Sequence, residues 1–220
     1  MNRQMNVSIL FDNFGMYMDG FYHTLLASVI ALAGSFVLGV AVAVMRITVF
    51  KPLQWFGTAY VEFIRNIPLL LITFVFYFGL PNAGLRLDGF QAGTVALTIY
   101  TSAFIAEAIR AGIQSVSKGQ MEAARSSGFT YSQAMLHIIL PQAIKIVIPP
   151  LGNQFLNLVK NSSILGVVAG LDLMYQADLV SSSTLVVFDV YIFVALFYLV
   201  LTIPLSIGVN YLEKRLEKSY

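Results

Sequence analysis

Residues 22–45 read YHTLLASVIALAGSFVLGVAVAVM, with no Lys, Arg, Asp or Glu among them. A helix crosses the hydrocarbon core of a bilayer with about 20 mostly apolar residues. This run is too long for a typical signal-peptide core and shows no clear cleavage site, so it predicts a retained spanning helix. Four more stretches qualify, at roughly 63–80, 91–112, 138–160 and 187–211. All five are continuous apolar runs without period-two alternation, which points to helices and away from a barrel. The expected fold is all-α: a polytopic bundle of five spans forming one transmembrane domain over residues 1–220.

Composition agrees. Of 220 residues 58% are hydrophobic and 11% charged, and the mean hydropathy is +0.78. Soluble domains carry about 25% charged residues, so an ordinary soluble domain, a disordered chain and a fibrous one are all excluded. The chain has no cysteine, which removes disulfides, thiolate metal sites and a cysteine nucleophile. His23 and His137 are too far apart to suggest a histidine metal centre. A net charge of +2 gives no reason to expect nucleic acid. No Gly-x4-Gly-Lys-[Ser/Thr] phosphate loop is present, and no Ser-His-Asp set or carboxylate pair stands out. The expectation is a chain with no metal, no cofactor and no enzymatic chemistry of its own.

Lys and Arg placement gives an orientation. Arg46, Lys51, Arg65, Arg110, Lys118, Arg125, Lys145, Lys214, Arg215 and Lys218 fall on one side. Arg3, Arg86 and Lys160 fall on the other, with Asp12, Asp19, Asp88, Asp172, Asp178 and Asp189. This predicts an N-terminus outside and a C-terminus in the cytoplasm. Pro81, Asn82, Gly84 and Gly89 mark a short outer turn over 81–90. The 161–186 segment is expected to hold a re-entrant or interfacial helix on the outer face.

The cytoplasmic connection 113–141 carries the strongest signal. Residues 118–127 favour a helix, and Gly128 can end it in the left-handed conformation. Thr130 and Gln133 have capping-box spacing for a second short helix, and Pro141 lies where the fourth span is expected to begin. Ala123 and Ala124 are small enough for another surface to approach closely. Physically this is two helices at an angle; a plain hairpin between spans is the alternative.

Glu122-Ala123-Ala124, three residues, Gly128, nine residues, Ile138, one residue and Leu140-Pro141 resemble the EAA loop of ABC-importer permeases. Glu62 to Leu70, Phe76 to Pro81, Ala106 to Ile113 and Lys160-Asn161-Ser162-Ser163 are similar to the polar amino-acid branch, the histidine/glutamine/arginine permeases. Asn66-Ile67-Pro68 departs mildly from that branch's Asn-Thr-Pro. The resemblance implies the type I (MetI-like) importer permease fold and a multi-pass subunit of the bacterial cytoplasmic membrane. It implies that the loop docks on a separate ATPase through Glu122, Ala123, Ala124 and Gly128, and that transport proceeds by alternating access. The implied partners are a pair of ATPase subunits that bind ATP and Mg, an extracytoplasmic binding protein, membrane lipid and a second permease copy, expected to be identical.

Polar residues within spans are costly and are functional candidates by default. Thr98 and Ser102 lie i,i+4 in the third span; Asn153, Asn157 and Asn161 follow the same spacing in the fourth, with Gln154 one step off. Hydrogen bonds between helices are an alternative role for such residues. Pro149-Pro150 is expected to bend or break the fourth span beside the amide row. In the resembling family the cavity is lined mainly by the second to fourth spans, which supports Asn66, Leu70, Thr98, Ser102, Asn157 and Leu158 as lining candidates. No carboxylate lies among these positions, and amides suit an amide ligand, so glutamine is the first candidate substrate. Lys160, the only cation nearby in sequence, is expected to snorkel to the interface. Glu107 with Arg110, and Glu62 with Arg65, have ion-pair spacing. A proton relay through Glu107 would instead make the chain an ion-coupled transporter, and a non-transporting scaffold is a third reading.

Overall fold

The computed structural model describes residues 6–217. Arg3 and Lys218, two members of the charge split, lie outside the described residues. A short helix, α1 (Ser8–Asp12), precedes α2 (Phe14–Ile47), which is 34 residues long. Next come α3 (Lys51–Arg65) and α4 (Leu69–Phe74), the latter extended by a π-turn (Val75–Gly79) and a 3-10 turn (Leu80–Ala83). Helix α5 (Gly89–Ser115) is followed by α6 (Lys118–Ser126) and α7 (Tyr131–Ala134). A second π-turn (Met135–Ile139) leads into α8 (Leu140–Asn161), a 3-10 turn (Ser162–Val168), α9 (Leu173–Thr184) and α10 (Phe188–Glu217). No strand occurs among the described residues.

Four helical segments, 14–47, 89–115, 131–168 and 188–216, are long and apolar enough to cross a membrane. The fifth candidate is a bent pair. The expected span 63–80 is broken between Arg65 and Leu69, and the halves turn through 103°. Pro68 causes the break: it lacks an N–H and disfavours helix at the residue before it. Pro68 is extended (ψ 137°) and its carbonyl accepts from Leu71 at 3.0 Å, opening the new helix. Each half is about 22 Å long at 1.5 Å per residue, short of the roughly 30 Å hydrocarbon core.

Of the bend or break expected at Pro149-Pro150, the break does not occur; α8 runs through both prolines. Packing holds the helix on either side of them. Val147 lies directly over Gly112 of α5, and Gly152 directly against Val209 of α10. Pro141 lies in the first turn of α8, as expected, although the helical path that leads into it begins at Tyr131. The π-turn Met135–Ile139 precedes Pro141 just as Val75–Gly79 precedes Pro81. A wider turn moves the i−4 carbonyl that a proline ring would otherwise strike.

Helices α2 and α5 form the centre of the bundle. On α2 the buried face is Thr24, Ala27, Ala31, Ser35, Gly39 and Ala43. It meets Ala96, Leu97, Ala103 and Ala106 of α5. A Cβ on Gly39 would stand 2.6 Å from Ile105 Cγ2, so only glycine permits this approach. Small residues let membrane helices pack closely where hydrophobic driving force between them is absent. In the 161–186 region α9 is capped by Asp172 and packs Leu173, Ala177 and Val180 with Tyr17 and Val190.

Candidate functional site

A cavity of about 290 Å³ lies between α5 and α8, lined by Tyr100, Thr101, Phe104, Gln154, Asn157, Leu158 and Asn161. Its size is at the lower edge of the roughly 300–1,000 Å³ typical of small-molecule sites. At 100° per residue, Tyr100, Thr101 and Phe104 share one face of α5, as Gln154, Asn157, Leu158 and Asn161 share one face of α8. Tyr100 and Phe104 lie against each other with ring centroids 4.9 Å apart. The opposite wall offers three amide side chains, each with paired donors and an acceptor. No lining residue is charged.

The broken span abuts this cavity from the side. Leu69, just beyond the break, packs in the cluster that includes Leu158 and Leu97. Arg65, just before it, holds its guanidinium carbon 5.4 Å from the Phe104 ring centroid. The break therefore touches two of the cavity's walls.

Asn157 and Leu158 line the cavity; the other four expected lining residues do not. Thr98 donates to the Thr94 carbonyl at 2.7 Å, and its methyl group faces Gly34 of α2. Ser102 is fully buried, donates to the Ile99 carbonyl at 2.7 Å and lies 2.7 Å from the Tyr60 hydroxyl. Both serve helix packing on the far side of α5. Asn66 donates to the Glu62 carbonyl at 2.6 Å where α3 ends, and Leu70 is 38% exposed. Tyr100, Thr101 and Phe104 are the residues that sequence reasoning missed. Their signal was an aromatic i,i+4 pair with a hydroxyl residue on the same face of a spanning helix.

The expected Glu107–Arg110 ion pair forms, and Arg46 joins it. Glu107 is bridged twice: Arg110 donates from Nε at 3.1 Å and from Nη2 at 2.6 Å, and Arg46 of α2 donates from Nη1. Arg46, expected in a loop, is buried in the last turn of α2. Glu62 and Arg65 form no ion pair among the described residues.

At the basic end of the bundle, α6 closes as expected. Gly128 has φ +88°. The Phe129 N–H reaches the Ala124 carbonyl at 3.2 Å, and the Gly128 N–H the Arg125 carbonyl at 3.1 Å, the pair of bonds that defines a Schellman ending. Thr130 and Gln133 form the capping box that starts α7. This second helix is not separate: it opens the long path into α8. Glu122, Ala123 and Gly128 are exposed, whereas Ala124 is turned inward at 7% exposure. Gln142 of α8 donates to Gln120 of α6 at 3.4 Å, tying the exposed helix to the one that lines the cavity.

Over residues 35–218 the chain matches the family described as binding-protein-dependent transport system inner membrane component. It is 99% identical to the probable glutamine ABC transporter permease protein GlnM of Bacillus subtilis (strain 168), over 98% of this chain and 100% of that one. A second relative in that organism, the probable glutamine ABC transporter permease protein GlnP, is 38% identical over 90% of this chain and 92% of its own. Among solved structures, an amino acid ABC transporter with histidines superposes with a TM-score of 0.91 at 38% identity, covering 97% of this chain and 100% of that one. The MetNI methionine ABC transporter shares the fold at a TM-score of 0.75 and 20% identity, over 92% and 97% of the two chains. These relatives, and a Glu107 carboxylate already held by two guanidiniums, do not support the ion-coupled alternative.

Proposed function

The chain belongs to the family of binding-protein-dependent transport system inner membrane components, as an integral membrane permease of an ABC transporter, and from that membership we propose that it imports a polar amino acid, glutamine first. The uncharged cavity between α5 and α8 carries this reading. Its three amides can exchange donors and acceptors with a carboxamide, and its aromatic wall accommodates the aliphatic part. Relatives named for glutamine support the same choice.

On the same reading the N-terminus lies outside and the basic end faces the cytoplasm, as the distribution of Lys and Arg supports. There Glu122, Ala123 and Gly128 meet an ATPase subunit, with Ala124 supporting them from within. The ATPase binds ATP and Mg and supplies the energy. Closure of the ATPase pair moves α6, and the Gln120–Gln142 contact carries that movement to α8. An extracytoplasmic binding protein delivers substrate, and a second permease chain completes the path. Two glutamine-named permeases in one organism favour a distinct second chain over an identical copy.

Uptake of labelled glutamine by the complete system, competed with arginine, glutamate, histidine and cystine, tests the substrate reading. Competition by unlabelled glutamine alone is expected. Strong competition by arginine or glutamate would move selectivity out of this cavity.

A further inference from the structure

Every free α-amino acid carries a carboxylate into the membrane, and a carboxylate buried without a partner is expensive. The cavity lining holds no cation. Of the cations near it, Arg46 and Arg110 are engaged by Glu107. Lys160 is exposed on α8, but at 100° per residue it projects roughly 110° away from the middle of the cavity face. Arg65 is different. It ends α3 at the break in the second span, is exposed, and lies over Phe104, a wall of the cavity. No carboxylate among the described residues pairs with it.

We propose that Arg65 is the carboxylate anchor of this cavity: it binds the α-carboxylate of the entering amino acid while Gln154, Asn157 and Asn161 read the side chain. This rests on the reading of the cavity as the substrate site. The face of the Phe104 ring attracts the guanidinium and keeps it beside the cavity, and its fork of donors matches a carboxylate in bidentate geometry. The break at residues 66–68 brings Leu69 to the same cavity. A helix continuing past Arg65 would not turn Leu69 back against Leu158. Division of labour follows: the anchor recognises what all amino acids share, and the amides recognise what distinguishes one.

The test is equilibrium binding of labelled glutamine to the purified ATPase–permease complex, without binding protein or nucleotide. The competitors are unlabelled glutamine and 4-aminobutanamide, which is glutamine without its α-carboxylate. The wild-type complex should prefer glutamine by about ten- to a hundred-fold, the range of a charge-assisted bidentate contact. Arg65→Gln should bring that preference close to one. Arg65→Lys, which keeps the charge and loses the fork, should leave an intermediate preference and serves where Arg65→Gln fails to assemble. Asn157→Ala should weaken both competitors together. If Asn157→Ala weakens binding while both Arg65 variants keep the wild-type preference, Arg65 is not the anchor and the cavity reading stands. If the wild-type complex binds no glutamine, or Asn157→Ala leaves binding unchanged, the cavity reading fails and the anchor with it.

Discussion

Two residues are held in unusual circumstances. Asp172 is fully buried, accepts the N–H groups of Tyr175 and Met174 at 3.2 and 3.3 Å, and has its pKa pushed up to about 7 by burial. A carboxyl raised from its usual value binds more protons folded than unfolded between about pH 4 and pH 7, so stability falls as pH rises through that window and levels off above it. Melting of the detergent-solubilised chain across this range should show the fall, and Asp172→Asn, which keeps a capping acceptor, should flatten it. An equal slope in both proteins would remove Asp172 as its source. Gly128 is the other. At φ +88° with open space around it, a side chain meets no neighbour but strains the backbone. Gly128→Val should leave the permease in the membrane and abolish ATP-coupled uptake; full uptake would show that the α6 ending does not matter. The sequence made Gly128 legible because its conformational need is local. It did not reveal the contact of Arg65 with Phe104 or the Arg46 half of the bridge on Glu107, since each joins residues distant in the chain.

Helices were legible where apolar length decided them, as for α2, α5 and α10. Proline placement misled twice. Pro68 breaks an apolar run that looked continuous, because it offers no N–H and disfavours helix at Ile67. Pro149 and Pro150 leave α8 intact, because Gly112 and Val209 grip it on both sides. Thr98 and Ser102 illustrate the same limit on the site. Their spacing identified a polar face correctly, but only the packing of α2 reveals that this face is buried against a neighbour while Tyr100 and Phe104 face the cavity. Helix packing also yields a prediction. Gly39→Leu would force α2 away from Ile105 and the Ser102 carbonyl, and overpacking of this kind costs about 1–3 kcal/mol. Thermal unfolding of the purified chain should drop accordingly, while Gly15→Ala, where the added Cβ meets nothing, should not.

For the whole molecule, one cavity and one exposed helix are linked through α8, and the energy for transport comes from another subunit. The chain is a permease of an ABC transporter, in which a separate ATPase hydrolyses ATP; on the proposed reading a second permease chain completes the pathway. Labelled-glutamine uptake by the complete system, with a catalytically dead ATPase as the paired control, tests that directly. Uptake should require ATP hydrolysis and vanish with the dead ATPase. Uptake that persists without a working ATPase would contradict the account.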